Sequence, residues 1–328
     1  MNVLSCFDGM SCGQLALSRA GVSYDNYFAS ELDKYAIKVT QCNFPETVQL
    51  GDVQEVRPEK LPKIDLLIGG SPCQGFSFAG KQLNFDDPRS KLFFEFVRLK
   101  NELKPKYFLL ENVRMKKESQ DIISEYLGVE PVFINSSLVS AQNRQRLYWT
   151  NIPFEIPEDR QIVLMDILED GFVDRDKSHC LDANYFKGGN LKSYFEKNRR
   201  QLVFDKPFQI NPSKAASGRQ PYMQDRVFDV RGKSHALTAS FADRTKVGSK
   251  VMDKIRGDNA SWRKLTPVEC ERLQTVPEGY TNHVSDTQRY KMLGNGWTVD
   301  VIAHIFGGLL LGEHPDVLAA IDNEMSKM

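Results

Sequence analysis

The alternation running through the first 150 residues constrains the fold of this chain more than any other feature. Short runs rich in β-branched and aromatic residues occur at Asn2–Phe7, Tyr27–Glu31, Thr47–Leu50, Ile64–Ile68, Tyr107–Leu110, Val132–Ser136 and Leu147–Thr150. Between them lie stretches with helical spacing near 13–20, 33–42, 90–103 and 119–127. Strands separated by helices cross over and pair in parallel, so the rhythm predicts an α/β fold on a doubly wound, mostly parallel sheet. Ligands of such sheets gather beyond the carboxyl ends of the strands. Those positions are Asp8-Gly9, Glu31, Asp52, Pro72-Cys73 and Glu111-Asn112.

The rhythm stops near residue 170, where polar, glycine-bearing segments such as Lys187-Gly188-Gly189-Asn190 take over. Regularity returns at Leu265–Leu273, where Thr266 caps, Pro267 takes the first helical position and Glu269 completes a capping box. An apolar helix near Val299–Leu311 is placed to fold back on the large lobe. A chain of 328 residues has room for both lobes. The expected division is a catalytic domain over 1–173, a smaller second domain over 174–266, and a return segment over 267–328 that completes the first. The N-terminus lacks a basic leader with a long apolar run, and no apolar stretch reaches membrane-spanning length, so a cytoplasmic, monomeric protein with no membrane partner is the expectation.

Phe7-Asp8-Gly9-Met10-Ser11-Cys12-Gly13 reads as strand, tight turn and helix start, where a nucleoside meets backbone N–H groups. It lacks the G-x-G-x-x-G spacing that admits a pyrophosphate, which disfavours a nicotinamide oxidoreductase. Glu31 is placed to accept from ribose hydroxyls and Asp52 from an adenine amino group, a set suited to an adenosine without a pyrophosphate. The six cysteines form no Cys-x-x-Cys pair and the histidines do not fall beside them, so neither zinc nor disulfides are expected. Among them Cys73 stands out, behind Pro72 in Gly69-Gly70-Ser71-Pro72-Cys73-Gln74-Gly75-Phe76-Ser77, where free N–H groups can lower a thiol pKa. Glu111 closes an apolar run and can hold a proton for a ring nitrogen. Arg144 and Arg146 alternate onto one side of an extended segment, either as surface arginines or as clamps on a base carbonyl and a phosphate.

Net charge is zero, which by itself argues against a polyanionic partner. The distribution reverses that argument. Residues 187–256 hold 16 Lys+Arg against 6 Asp+Glu, a basic island on an acidic body. Such an island is a solvated face or a surface for phosphates.

Taken in order, Phe7…Gly9…Gly13, Glu31, Asp52, Pro72-Cys73-Gln74, Glu111-Asn112-Val113, Gln142-x-Arg144-x-Arg146 and Gln288-x-Tyr290-x-x-x-Gly294-Asn295 resemble the motif series of the DNA (cytosine-5)-methyltransferases. The resemblance covers nearly the whole chain outside residues 155–225. It implies a Rossmann-like S-adenosylmethionine-dependent methyltransferase fold with a small target-recognition domain. Cys73 would attack C6 of a flipped-out cytosine in double-stranded DNA, Glu111 would assist at N3, Arg146 would hold the base carbonyl and Arg144 the phosphate side. Phe7, Asp8, Gly9, Gly13, Glu31, Leu32, Asp52, Val53, Pro72, Leu92 and Asn295 would line the S-adenosyl-L-methionine site. Ser77, Arg89, Arg219, Gln220, Arg226, Arg244 and Lys246 would meet DNA, the last five from loops near 213–226 and 240–249. A separate restriction endonuclease is a possible companion of such an enzyme. Trp297 departs from the family, standing where a small residue often follows Gly-Asn. A tRNA cytosine methyltransferase is the nearest rival, but that branch usually has Pro-Pro-Cys where this chain has Ser-Pro-Cys. A catalytically silent DNA-binding relative would be expected to lose Cys73, Glu111, Glu31 or Asp52, and all four are present.

Overall fold

The computed structural model describes residues 1–71, 88–204 and 261–311, with 88–90 and 311 described by backbone alone. Pro72, Cys73, Ser77, Arg219, Gln220, Arg226, Arg244 and Lys246 lie outside the described residues, as does the side chain of Arg89.

Each of the seven apolar runs forms a strand: β1 Asn2–Cys6, β2 Asn26–Ser30, β3 Val48–Gln49, β4 Leu66–Gly69, β5 Tyr107–Val113, β6 Val132–Asn135 and β7 Gln145–Thr150. They make one sheet in the order β3-β2-β1-β4-β5-β7-β6. The first five pair in parallel, while β7 runs antiparallel to both β5 and β6. Side chains alternate across this sheet and divide the core in two. Val3, Leu66, Ile68, Leu109 and Tyr148 face one layer with Ala16, Leu17, Ile302, Ile305 and Phe306. Leu4, Cys6, Leu67, Leu110 and Trp149 face the other with Phe93, Phe96, Ile123 and Leu127.

The helices that supply these layers are α1 Cys12–Arg19, α2 Lys34–Asn43, α3 Pro88–Leu103 and α4 Lys117–Leu127. Beyond them lie α5 Leu191–Lys197, α6 Pro267–Leu273, α7 Asp286–Asn295 and α8 Val299–Leu311. The expected capping box forms: Thr266 Oγ1 accepts from Glu269 N at 3.1 Å, and Glu269 Oε2 accepts from Thr266 N at 2.8 Å. Helix α8 does return to the large lobe, packing with α1 in the first layer. A two-stranded sheet, β8 Leu202–Phe204 with β9 Trp262–Lys264, stands apart from the large one and buries Tyr194, Leu202 and Phe204.

Two strand limits differ from the sequence pattern in a way that matters. β5 continues past Leu110 through Glu111 and Asn112 to Val113, and β7 begins at Gln145 rather than Leu147. The polar residues belong to the ladder because each has a partner across it: Glu111 faces Tyr148, Asn112 faces Leu147 and Val113 faces Arg146. Hydrophobicity marks only the buried part of a strand, whereas the ladder continues as far as the backbone pairs.

Candidate active site

The chain visits β1, β2 and β3 on one side, then turns back to β4 and β5 on the other, so the sheet order reverses between β1 and β4. At such a switch point neighbouring connections diverge and leave a crevice. A cavity of about 530 Å³ opens there.

At one end the turn after β1 takes an unusual backbone path. Phe7, Gly9 and Ser11 all have positive φ, at 58°, 60° and 62°. Two of these are not glycine, so the path carries strain of the kind held at functional sites. The turn is tied to β2 through Asp8 N to Ser30 O at 3.1 Å and Gly9 N to Glu31 Oε2 at 2.8 Å. Glu31 Oε1 accepts from the N–H groups of Leu32 and Asp33, both at 2.8 Å. Three main-chain donors thus fix the carboxylate at the cavity wall. Asp52 is fixed similarly, its Oδ1 accepting from Gln54 N at 3.0 Å. Between these acids Leu32 is 69% exposed, an apolar surface with nothing folded over it among the described residues. Across the mouth, Lys291 Nζ meets Asp33 Oδ2 at 2.7 Å. Against the upward push of partial burial, the Lys291 ammonium and the N–H groups of Tyr35 and Ala36 hold the Asp33 carboxyl below its ordinary range.

At the other end the β5–β7 register brings Glu111 and Arg146 together. Glu111 faces Tyr148, so Arg146 is its diagonal neighbour on the same sheet face. Arg146 Nε lies 2.6 Å from Glu111 Oε1, and Trp297 Nε1 donates to Glu111 Oε2 at 3.2 Å. The sequence suggested apolar surroundings for this carboxyl; it has a guanidinium and an indole N–H instead. Asn112, on the opposite face, donates to Ser71 O at 3.3 Å and to its hydroxyl at 3.2 Å, tying β5 to the chain that leaves β4.

Phe7, Asp8, Gly9, Glu31, Leu32, Asp52, Val53, Leu92 and Asn295 all border the cavity, as do Glu111, Arg144 and Arg146. Gly13 does not. A Cβ there would stand 2.5 Å from Ile68 Cδ1 and 2.6 Å from the Tyr27 hydroxyl, so this glycine serves the close packing of α1 on the sheet. Arg144 also departs from its expected phosphate contact. Only 2% exposed, it donates to the carbonyls of Leu181 at 2.9 Å, Gly294 at 3.3 Å and Gly296 at 2.8 Å. Its donors are directed to the chain's own backbone, at Leu181 and at the end of α7. Lining residues that sequence reasoning passed over include Gly70, Lys291 and Trp297. Only Trp297 carried a signal, as a departure from the motif pattern that the sequence resembles.

The Asp8 carboxyl is engaged by the protein itself. Tyr27 donates to Oδ1 at 2.8 Å, while Oδ2 is buried without a hydrogen-bond partner among the described residues. Burial pushes this acid up to about 6, against the pull of the Ser5, Tyr27 and Ser11 hydroxyls. Three of the cysteines are disposed of by the same effect. Cys6, Cys12 and Cys270 are buried, and burial raises their thiols, Cys12 to about 12. A thiol held protonated is a poor nucleophile.

Comparison with known proteins agrees with this geometry. M1.ScrFI, a type II methyltransferase of Lactococcus lactis subsp. cremoris, is 33% identical over 294 residues, 84% of this chain and 69% of the relative. M.HhaI, a type II methyltransferase of Haemophilus parahaemolyticus, is 27% identical over 327 residues, 93% of each chain. Among solved structures, a mutant of Spodoptera frugiperda DNMT2 shares the fold with a TM-score of 0.65 at 20% identity, covering 94% of this chain and 99% of that one. The family model for C-5 cytosine-specific DNA methylase matches residues 1–310, from the first strand into the last described helix. On that span the chain belongs to the C-5 cytosine-specific DNA methylase family, whose members are S-adenosylmethionine-dependent DNA (cytosine-5)-methyltransferases.

Proposed function

We propose that this protein methylates C5 of a flipped-out cytosine in double-stranded DNA through a transient bond from Cys73 to C6, with S-adenosylmethionine as methyl donor. One observation carries the reading. The acids suited to an adenosine, Glu31 and Asp52, share a single cavity with the pair suited to a pyrimidine, Glu111 and Arg146. A donor and an acceptor of a methyl group must meet within bonding reach, and a common cavity is what that requires.

The described residues fit the cofactor. Glu31, oriented by three N–H groups, keeps lone pairs for ribose hydroxyls, Asp52 takes an amino group, and the exposed face of Leu32 suits an adenine ring. Phe7 and Val53 add apolar wall, with Leu92 and Asn295 across the cavity. When bound, the cofactor supplies an electrophilic methyl on a sulfonium. The chain's own groups supply the rest. β4 delivers the backbone to the cavity at Gly70 and Ser71, two residues before Cys73. Addition of the Cys73 thiolate to C6 pushes electrons toward C5, and a proton shared from Glu111 to N3 makes that addition favourable. Arg146 orients the Glu111 carboxyl and holds the base carbonyl. After the methyl is gained, loss of the C5 proton and expulsion of the thiolate restore aromaticity and the free enzyme.

The basic island over 187–256 supports docking on duplex phosphates, and a stacked base must leave the helix to reach this cavity. Ser77, Arg89, Arg219, Gln220, Arg226, Arg244 and Lys246 are our proposed DNA contacts. Domain limits of 1–173, 174–266 and 267–328 follow from the same division. Bacterial and phage relatives, including the orphan methyltransferase M.SPRI of Bacillus phage SPR, support a modification enzyme of the cytoplasm; action as a monomer, alone or beside a separate restriction endonuclease, is part of the same proposal.

The test is transfer of labelled methyl from S-adenosylmethionine to duplex DNA and, in parallel, to tRNA. Label at C5 of cytosine in DNA, lost in Cys73→Ser, is expected. Label confined to tRNA, or on adenine, or undiminished in Cys73→Ser, refutes the reading.

A further inference from the structure

Trp297 reaches from the loop after α7 across the cavity floor to the carboxyl on β5. Its indole N–H takes one oxygen of Glu111 at 3.2 Å, while Arg146 takes the other at 2.6 Å. A carboxyl held at a single oxygen turns freely about its last torsion, which has broad wells. Held at both oxygens by donors from separate elements, it has one orientation. The site is shaped around this contact. A Cβ on Gly70 would stand 2.9 Å from the indole nitrogen and 3.2 Å from Glu111 Oε2, so only a residue without a side chain lets the two meet.

The indole is itself anchored. The carbonyl of the preceding Gly296 accepts from Arg144 at 2.8 Å and from Gln274 at 3.2 Å. Thr298, on the other side, donates to Gln274 Oε1 at 3.0 Å. Arg144 is therefore linked to the same carboxyl at one remove.

We infer that Trp297 is a positioning residue for the methyl-transfer reaction, its indole N–H fixing the Glu111 carboxyl in the direction from which it serves the base, with Arg144 holding the Gly296 carbonyl that sets the indole. The inference rests on the reading of Glu111 as the group that assists at N3. It assigns the two arginines different work: Arg146 acts on the carboxyl directly, Arg144 through the return segment.

The experiment is a double-mutant cycle on the full-length enzyme with duplex DNA. Trp297→Phe keeps an aromatic ring and removes the N–H. It is expected to lower kcat about ten- to a hundredfold, the range for losing a hydrogen bond to a charged group, with KM for S-adenosylmethionine within about threefold of the parent. In the Glu111→Gln background the same substitution should cost less than about twofold, because the group it positions is already disabled. Equal losses in both backgrounds, or a rise in KM with kcat intact, would overturn the inference and reduce Trp297 to packing. If Glu111→Gln is fully active, the reading of Glu111 fails first, a result distinct from either. A second measurement does not depend on Trp297→Phe folding. The chain has three tryptophans, so its indole N–H groups give three resonances in a 15N-labelled sample. Glu111→Gln should move the Trp297 resonance and leave that of Trp149, which donates to Ser124 Oγ at 3.0 Å, in place. An unmoved Trp297 resonance counts against the hydrogen bond itself.

Discussion

Replacing Asp8 with Asn should stabilise the folded protein at alkaline pH and do nothing for it in acid. Asp8 lies under the strained turn after β1, with one carboxyl oxygen bonded to Tyr27 and the other buried without a partner among the described residues. Burial raises its pKa from 3.8 to about 6. Above that value both folded and unfolded chains are ionised there, and the fold bears the whole cost of a desolvated carboxylate. That cost is about 3 kcal/mol at pH 8, from ~1.4 kcal/mol for each pH unit of displacement. Between 3.8 and 6 the folded state binds a proton that the unfolded chain does not, so stability rises as pH falls. Near pH 4.5 the remaining cost is about 1 kcal/mol, and below the unfolded value it disappears. Asn removes the charge at every pH, but brings an amide N–H into the orphan position, at a cost of about 1 kcal/mol. The net gain is about 2 kcal/mol at pH 8 and close to zero at pH 4.5. At roughly 2 °C per kcal/mol for a chain of this size, Tm should rise about 4 °C in the alkaline buffer. Thermal melts of parent and Asp8→Asn, without cofactor and side by side at the two pH values, make the comparison, since other titrating groups cancel in the difference. An equal loss of Tm at both pH values would show that the Asp8 carboxyl is not the costly buried acid described.

Arg144→Met should lower Tm by several degrees, because its hydrogen bonds to the carbonyls of Leu181, Gly294 and Gly296 are lost at roughly 1 kcal/mol each, with Gly296 alone keeping Gln274 as a donor; unchanged melting would mean these contacts are not made in solution. Gly308→Ala should prevent α8 from seating, since a Cβ would stand 1.8 Å from the Pro153 carbonyl, and a loss of about 2 kcal/mol or more is expected from denaturant titration. Affinity for duplex DNA should fall about a thousandfold or more between ~50 and ~200 mM salt if the basic island makes six or more phosphate contacts. A flat salt response in filter binding would remove the island from the docking face.

The parts of the fold and site that are readable in sequence are those fixed by local pattern. Seven strands are legible because each carries its own apolar run, and the parallel arrangement follows from the helices between them. Glu31 and Asp52 are legible because they stand just past the carboxyl ends of parallel strands, where the crevice opens; Asp8 stands there too, yet its carboxyl meets Tyr27, which position alone does not reveal. Reading fails wherever a residue's role is set by a contact distant in the chain. Gly13 looks like part of a ligand-binding turn, but its missing side chain answers to Ile68 and Tyr27. Arg144 and Arg146 have the same residue type, alternate onto the same side and differ only in what meets them, the return segment in one case and Glu111 in the other. The apparent apolar setting of Glu111 fails likewise, because its two donors come from β7 and from the loop after α7, neither adjacent in sequence. That pattern has a physical cause. Strand and helix propensities are written within a few residues, while the protonation and direction of a carboxyl are set by whichever groups the finished fold brings within about 3 Å. In this enzyme one of the two residues that hold the Glu111 carboxyl arrives with the last third of the chain. A truncation before residue 267 would therefore keep every strand-forming run in the sequence, yet strip α8 from one core layer and leave the Glu111 carboxyl with one donor instead of two.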